Sequence, residues 1–585
     1  MSSSAPPPGT GGPPWGQPQP GGYPGGFDPA GPGGVDPSGQ GYPPAGPGGY
    51  GPGGPGGYGP GGPGGPPDYL VGGPGGQPPY QQPPSKSTGV KAIILATILA
   101  VVVAGSALAF YKLDPLNLFR AGPQAAEAVP ANALFYVGVD LEPTAEQKVA
   151  ALRFLNHFPA FREQVGLDDE NADIRKWVFE EAAKESGCTQ VSYDEDVAPW
   201  IGGKFGVAGM RGREAGAEPD VLVTLEVTDE DAARAGLEKL QSCGSNTDFG
   251  VDFTGDYAVL AETQDLAEQY AAAADDASLA DEEDFNSDME SLGDLGVATA
   301  WVDVAGSIDA FGSEAPGENL DFLKTSYQRA AATLRFSSDS AELVTSVFGD
   351  TAAIEHGDNQ IVDLPESTVF AMSEAGGGER LNASWDDIMS TAKSEGADIE
   401  AQIAQFEAET GLALPEDVAT MLGDNIMLAV DSEGLTAEAI QAEDPSLFNA
   451  GVRFTNDPEA LNAIYSKVLA LLEGETPQSL PFVKHDADDG IVVATNDSYA
   501  DRLVALDGGL GETAEFQSVT DDAAGKEFVL FFNWDSVEEQ ILQAAQNTGA
   551  PQEVIDNLRP LRAFGVTASV EGDYTLTTFR LSVNP

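Results

Sequence analysis

The sequence is poor in the residues that most often carry chemistry: it holds 2 cysteines and 3 histidines in 585 residues. A zinc centre draws on closely spaced Cys and His, and neither an H-E-x-x-H nor a C-x-x-C run occurs. His157 falls at the end of an expected helix, and His356 and His485 fall in polar loops beside acids, where capping and solvation account for them. No G-x-S-x-G elbow, Walker-type phosphate loop or dinucleotide fingerprint is present in a strand-to-helix context. No residue therefore qualifies as a catalytic, cofactor-binding or metal-ligating candidate.

Positive charge is also scarce. Against 93 Asp and Glu stand 28 Lys and Arg, a net charge of −65. Such a field repels nucleic acid and anionic headgroups, which excludes nucleic acid as a partner and leaves cations, basic proteins or peptides.

What is present divides the chain into unlike parts. Residues 1–88 repeat Gly, Pro and Tyr, with tandem Tyr-Gly-Pro-Gly-Gly-Pro-Gly-Gly units from Tyr50 and Tyr58. Without branched apolar side chains such a tail cannot offset the entropy of ordering, so disorder is expected. Ala92 to Tyr111 then reads AIILATILAVVVAGSALAFY, twenty residues without a charge. At 1.5 Å per residue this matches a hydrocarbon core of about 30 Å, so a transmembrane helix is expected over 90–111, with a linker over 112–128. Lys86 and Lys91 on one side balance Lys112 and Arg120 on the other. Orientation then rests on Cys188 and Cys243, whose polar, loop-like surroundings suit one disulfide in an oxidising compartment. The resulting expectation is a single-pass protein of the cell membrane, N-terminus cytoplasmic and C-terminal region extracytoplasmic.

The C-terminal region reads as two copies of one unit, over 129–353 and 364–585. Val129-Pro130-Ala131-Asn132-Ala133-Leu134-Phe135 corresponds to Leu364-Pro365-Glu366-Ser367-Thr368-Val369-Phe370, and DVAPWIGGKFGVA from Asp196 to DVATMLGDNIMLA from Asp417. Further on, Asp284-Phe285-Asn286-Ser287 answers Glu515-Phe516-Gln517-Ser518. Both copies close on an alternating pattern suited to a hairpin, from Leu334 and from Val566. The expected class is α+β: a tandem duplication of a mixed, largely antiparallel sheet-and-helix unit, preceded by the transmembrane helix and the disordered tail. The short polar linker between copies lets the units pack closely and share a sheet or cleft.

On these segments the chain resembles a family of membrane-anchored actinobacterial and cyanobacterial proteins, domain of unknown function 3352. The resemblance implies no activity and supplies no catalytic residues. The absence of a catalytic constellation and the two-unit layout favour a non-enzymatic envelope protein that binds a protein, peptide or envelope polymer. A hydrolase with a site between the copies is the alternative, and so is calcium binding. For calcium, the consecutive acids Asp281 to Asp284 are the densest oxygen cluster, while the loop from His485 to Gly490 lacks the ligand pattern of an EF-hand.

Overall fold

The structure, a computed structural model, describes residues 123–585 apart from 142–144, 166–172, 187, 189, 214–218, 244–248, 312–323, 325, 350–353, 395–397, 437–444 and 476–481. The Gly/Pro/Tyr tail and the apolar segment 92–111 lie outside the described residues.

Alternating burial makes the strands. Phe135–Asp140, Asn425–Asp431 and Phe528–Asn533 each bury every second side chain, the period of a strand with unlike faces. The first eight strands are β1 (Phe135–Asp140), β2 (Ile201–Met210), β3 (Asp220–Val227), β4 (Gly250–Thr254), β5 (Tyr257–Ala261), β6 (Ala298–Asp303), β7 (Arg329–Phe336) and β8 (Ser340–Phe348). The second eight are β9 (Thr368–Ala375), β10 (Asn425–Asp431), β11 (Ala450–Thr455), β12 (Val483–Ala487), β13 (Gly490–Ala494), β14 (Phe528–Asn533), β15 (Leu561–Glu571) and β16 (Tyr574–Val583).

All sixteen form one antiparallel sheet, in the order β12-β13-β11-β10-β9-β14-β15-β16-β8-β7-β6-β1-β2-β3-β5-β4. Read outward from the centre, each half follows the same path, and β8 and β16 are the strands that join them. That seam runs in register from Tyr574 opposite Phe348 to Ser582 opposite Ser340. The hairpin leading into it turns at Gly572, where φ is +69°, a conformation that costs glycine little and other residues more.

Two expectations are corrected here. Of the shared sheet or cleft that the short linker allows, the structure shows the sheet: the last strand of each half hydrogen-bonds to the other, so the expected tandem of two units is one antiparallel sheet of sixteen strands. The expected membrane-spanning helix, and the single-pass placement that rests on it, are not supported: among the described residues no helix is long and apolar enough to cross a membrane, and the segment 92–111 lies outside them. The longest described helices are interrupted by charge. The 18-residue helices Gly377–Ser394 and Pro458–Glu475 carry Glu379, Arg380, Asp386 and Asp387, or Glu459 and Lys467.

Helices cover both faces. On one face, Tyr136, Leu222, Phe285 and Trp301 build a core over the first half, and Ala371, Tyr499, Phe516 and Phe531 build its counterpart over the second. Edge-on ring pairs recur at equivalent places, Phe285 with Trp301 at 5.7 Å and Phe516 with Phe531 at 5.0 Å between centroids. On the other face a third core spans the seam, with Phe154, Phe161 and Phe336 from the first half against Leu561, Leu581 and Val583 from the second.

The Asp-Val-Ala segments act alike in the two halves. Asp196 accepts from the Ser192 N–H at 3.0 Å and pairs with Lys239; Asp417 accepts from the Ala413 N–H at 2.7 Å and from Lys467 Nζ at 2.6 Å. Each carboxylate closes a turn and ties it to the helix that follows the second strand after it, which explains why the motif is repeated.

Candidate functional site

The residues singled out in the sequence do not converge. Cys188 and Cys243 are disulfide-bonded, with Cα atoms 5.3 Å apart, and lie in the core formed by Trp200, Val227, Ala233 and Leu237. Their bond fastens the segment after the helix Ile174–Ser186 to the end of the helix Glu230–Gln241. His356 sits 3.6 Å from Glu527. His485 lies on the outermost strand β12 rather than in a loop, with Nε2 2.9 Å from Asp497 and Nδ1 2.9 Å from Asp501.

The acidic run has a local explanation. Asp281 Oδ2 accepts from the Ser278 N–H at 3.1 Å and the Ser278 hydroxyl at 2.8 Å, and Glu283 and Asp284 occupy the first turn of the following helix. Carboxylates there complement the helix N-terminus. Among the described residues no group of three or more His, Cys, Asp or Glu is placed to hold a metal ion.

A cavity of about 720 Å³ opens where the halves meet. It is lined by Arg153, Asn156, His157, Arg162, Ser338, Asp339, Arg559, Pro560, Asn584 and Pro585. Arg153 ends the helix Ala145–Leu155, and Arg162 lies on Pro159–Val165. Arg559 caps the helix Gln552–Leu558 of the second half. Hydrogen bonds across the halves hold these pieces: the Ala160 N–H donates to Asn557 Oδ1 at 3.0 Å, and the Val583 N–H to the Asp339 carbonyl at 2.9 Å. The seam-spanning core lies beneath, so neither half alone could form the cavity.

The charge of this cavity opposes that of the chain. Its lining holds three arginines and one histidine against the single carboxylate side chain Asp339. Arg162 Nη1 donates to the Asn156 carbonyl at 2.7 Å, and Arg559 is loosely paired with Asp556 at 3.6 Å and Glu538 at 3.9 Å. Guanidinium groups present planar pairs of donors that match carboxylate and phosphate oxygens.

Ser338, His157 and Asp339 share the cavity without forming a catalytic arrangement. Asp339 Oδ1 accepts from the Ser337 hydroxyl at 2.7 Å, and no hydrogen bond joins His157 to Ser338 or Asp339. Nucleophilic catalysis requires such contacts between nucleophile, base and orienting acid.

With the geometry established, comparison with known proteins places the chain. The family described as proteins of unknown function, DUF3352, matches residues 92–426, more than half of the sequence. The chain belongs to that family. The match runs through the whole first half of the sheet and into β10 of this DUF3352 protein. No curated protein matches it. A solved chain described as crystal form III of TP0453 aligns with 39% of the DUF3352 protein and 81% of itself, at 10% identity and a TM-score of 0.21, which carries no structural argument.

Sequence reading missed the arginines of the seam. Arg153 and Arg559 are far apart in the chain and belong to no local motif. The available signal was their scarcity, since 28 basic residues are spread among 93 acids.

Proposed function

We propose that this DUF3352 protein is a non-catalytic binding protein that holds an anionic group, carboxylate or phosphate, carried by a protein, peptide or polymer, in the cavity at the seam. One observation carries the reading: Arg153, Arg162 and Arg559 converge with His157 around about 720 Å³ in a chain whose acids outnumber its bases 93 to 28. A volume of this size accommodates a small ligand or the end of a larger one.

The surrounding negative field supplies selectivity. At physiological salt it is screened over about 8 Å, so anions are repelled at a distance and retained only where guanidinium groups are in direct contact. Ligands without a well-spaced pair of acceptor oxygens gain too little at the arginines to overcome that repulsion.

Thermal unfolding in inorganic phosphate, against chloride at equal ionic strength, tests the reading. The wild-type midpoint is expected to rise with phosphate concentration, and the rise is expected to vanish in Arg153→Gln/Arg559→Gln. Equal phosphate responses in the two proteins would overturn the assignment. So would turnover of an ester or peptide substrate that is lost on substitution of Ser338 or His157.

A further inference from the structure

The sheet ends on β4 at one side and β12 at the other, each the first strand of a hairpin with β5 or β13. The hairpins are built alike: Thr254 faces Tyr257 across the turn Gly255-Asp256, and Ala487 faces Gly490 across Asp488-Asp489. Residues that flank a two-residue turn exchange both main-chain hydrogen bonds, and the pattern alternates from there along the ladder. The main-chain groups of Val251 and Phe253 on β4, and of Lys484 and Asp486 on β12, therefore point away from the sheet. Such a row of donors and acceptors is a template for another strand.

The two edges are finished differently. On β4 the Gln264 side chain takes both groups of Val251: the Val251 N–H donates to Oε1 at 3.1 Å, and Nε2 donates to the Val251 carbonyl at 3.0 Å. A primary amide thus stands in for a neighbouring strand. Gln264 opens the helix Gln264–Asp276, directly after its N-cap Thr263. In the second half the same place, directly after the N-cap Asn496, is held by Asp497. An ionised carboxylate has no proton to donate, and this one faces His485 instead, 2.9 Å away. Among the described residues nothing takes the outward main-chain groups of Lys484 or Asp486. Phe482, at the head of this open strand, is 48% exposed.

Charge decides which strand such an edge accepts. An antiparallel copy of β12 can be set with Lys484 opposite Asp486 in both directions, giving reciprocal ion pairs about a twofold axis at His485. The other settings that align the outward groups put Lys484 opposite Lys484 or Asp486 opposite Asp486, and like charges directly opposite destabilise a strand pair. Within the chain, Lys484 Nζ and Asn462 Nδ2 both donate to Asp486 Oδ1, which leaves Oδ2 of this 64% exposed side chain to meet a second copy. At the axis His485 meets its counterpart, each imidazole flanked by its own Asp497 and Asp501, so the positive charges are balanced locally. The net charge of −65 opposes association at long range, but at physiological salt it is screened over about 8 Å.

We infer that β12 is a dimerisation edge, at which two copies of this chain pair antiparallel about His485 and continue the sheet from one copy into the other. The contact is isologous, the same strand serving both copies. Main-chain hydrogen bonds supply the affinity, and Lys484 and Asp486 fix the register. This inference does not depend on the anion reading of the seam.

Sedimentation equilibrium of the whole chain tests it. The wild type is expected to pass from monomer to dimer mass as concentration rises. Lys484→Asp and Asp486→Lys are each expected to remain monomeric, their equimolar mixture to form a dimer, and Lys484→Asp/Asp486→Lys to dimerise by itself. A wild type that stays monomeric at every concentration would overturn the proposal, even if it captured an extended peptide at this edge. Single variants that dimerise as the wild type does would overturn it too, and so would a mixture of folded single variants that stays monomeric. Should a single variant fail to fold, His485→Cys decides. Opposed residues of a non-hydrogen-bonded pair have Cα atoms about 4.5 Å apart, within disulfide reach, so oxidation is expected to link two copies through this cysteine. Failure of that link to form in the folded variant overturns the assignment.

Discussion

Glu342 and Arg580 face each other across the β8–β16 seam, with Arg580 Nε and Nη2 donating to Glu342 Oε2 at 2.9 and 2.6 Å. On the other side, Arg335 Nε donates to Glu342 Oε1 at 2.9 Å, so each oxygen of the carboxylate holds an arginine. The Glu342 side chain is 10% exposed and that of Arg580 14%. The charges are thus largely withdrawn from water at the line where the halves join.

Glu342→Gln removes the carboxylate between two guanidinium groups and leaves Arg580 only the exposed Asp521 as a counter-charge. Removing one member of a buried ion pair costs on the order of 3 kcal/mol, because the remaining charge stays desolvated. Urea denaturation is expected to show a loss of this size in E342Q, with recovery of part of it when Arg580 is replaced by Met in the same chain. A single-variant loss below roughly 0.5 kcal/mol, the level of an ordinary surface substitution, would mean that the network adds nothing at the seam.

The Cys188–Cys243 bond closes a loop with a sequence separation of 55 residues. By the loop-entropy relation this constrains the unfolded chain by about 4 kcal/mol, a figure that falls if the reduced chain retains structure. Cys188→Ser/Cys243→Ser is therefore expected to unfold at a lower urea midpoint, and reductant is expected to lower the wild-type midpoint towards it. Insensitivity of the wild type to reductant at equilibrium would contradict this.

His485 supplies a pH dependence of known sign. Hydrogen bonding to Asp497, opposed by partial burial and reinforced by Asp501, raises its pKa above the ordinary 6.5. A raised folded-state pKa means that the stabilisation is fully present below the unfolded value and is lost as pH rises through the folded one. Since β12 is an outermost strand, its amides should exchange faster above that transition. NMR titration of the His485 ring should give a midpoint above 6.5, falling towards that value in Asp497→Asn/Asp501→Asn. A wild-type midpoint at or below 6.5 would remove the basis for the effect.

Much of the fold was legible because the information is local. Alternation of apolar residues marks strands such as Phe528–Asn533, and the repeated Asp-Val-Ala of Asp196 and Asp417 marks equivalent turns, since each carboxylate is satisfied within its own half. The expectation of a membrane-spanning helix rested on the hydropathy of 92–111 alone, and that segment lies outside the described residues.

The site at the seam was not legible, because Arg153 and Arg559 are far apart in the chain and belong to no local motif. Composition and periodicity determined what each half would become, because strands, turns and apolar faces depend on neighbours a few residues away. Only the tertiary structure decided that β8 pairs with β16. That single pairing merges the halves into one sheet, sets Glu342 between Arg335 and Arg580, and brings Arg153 and Arg559 to the same cavity, since contact between residues so distant in sequence is fixed by sheet register and shared core packing.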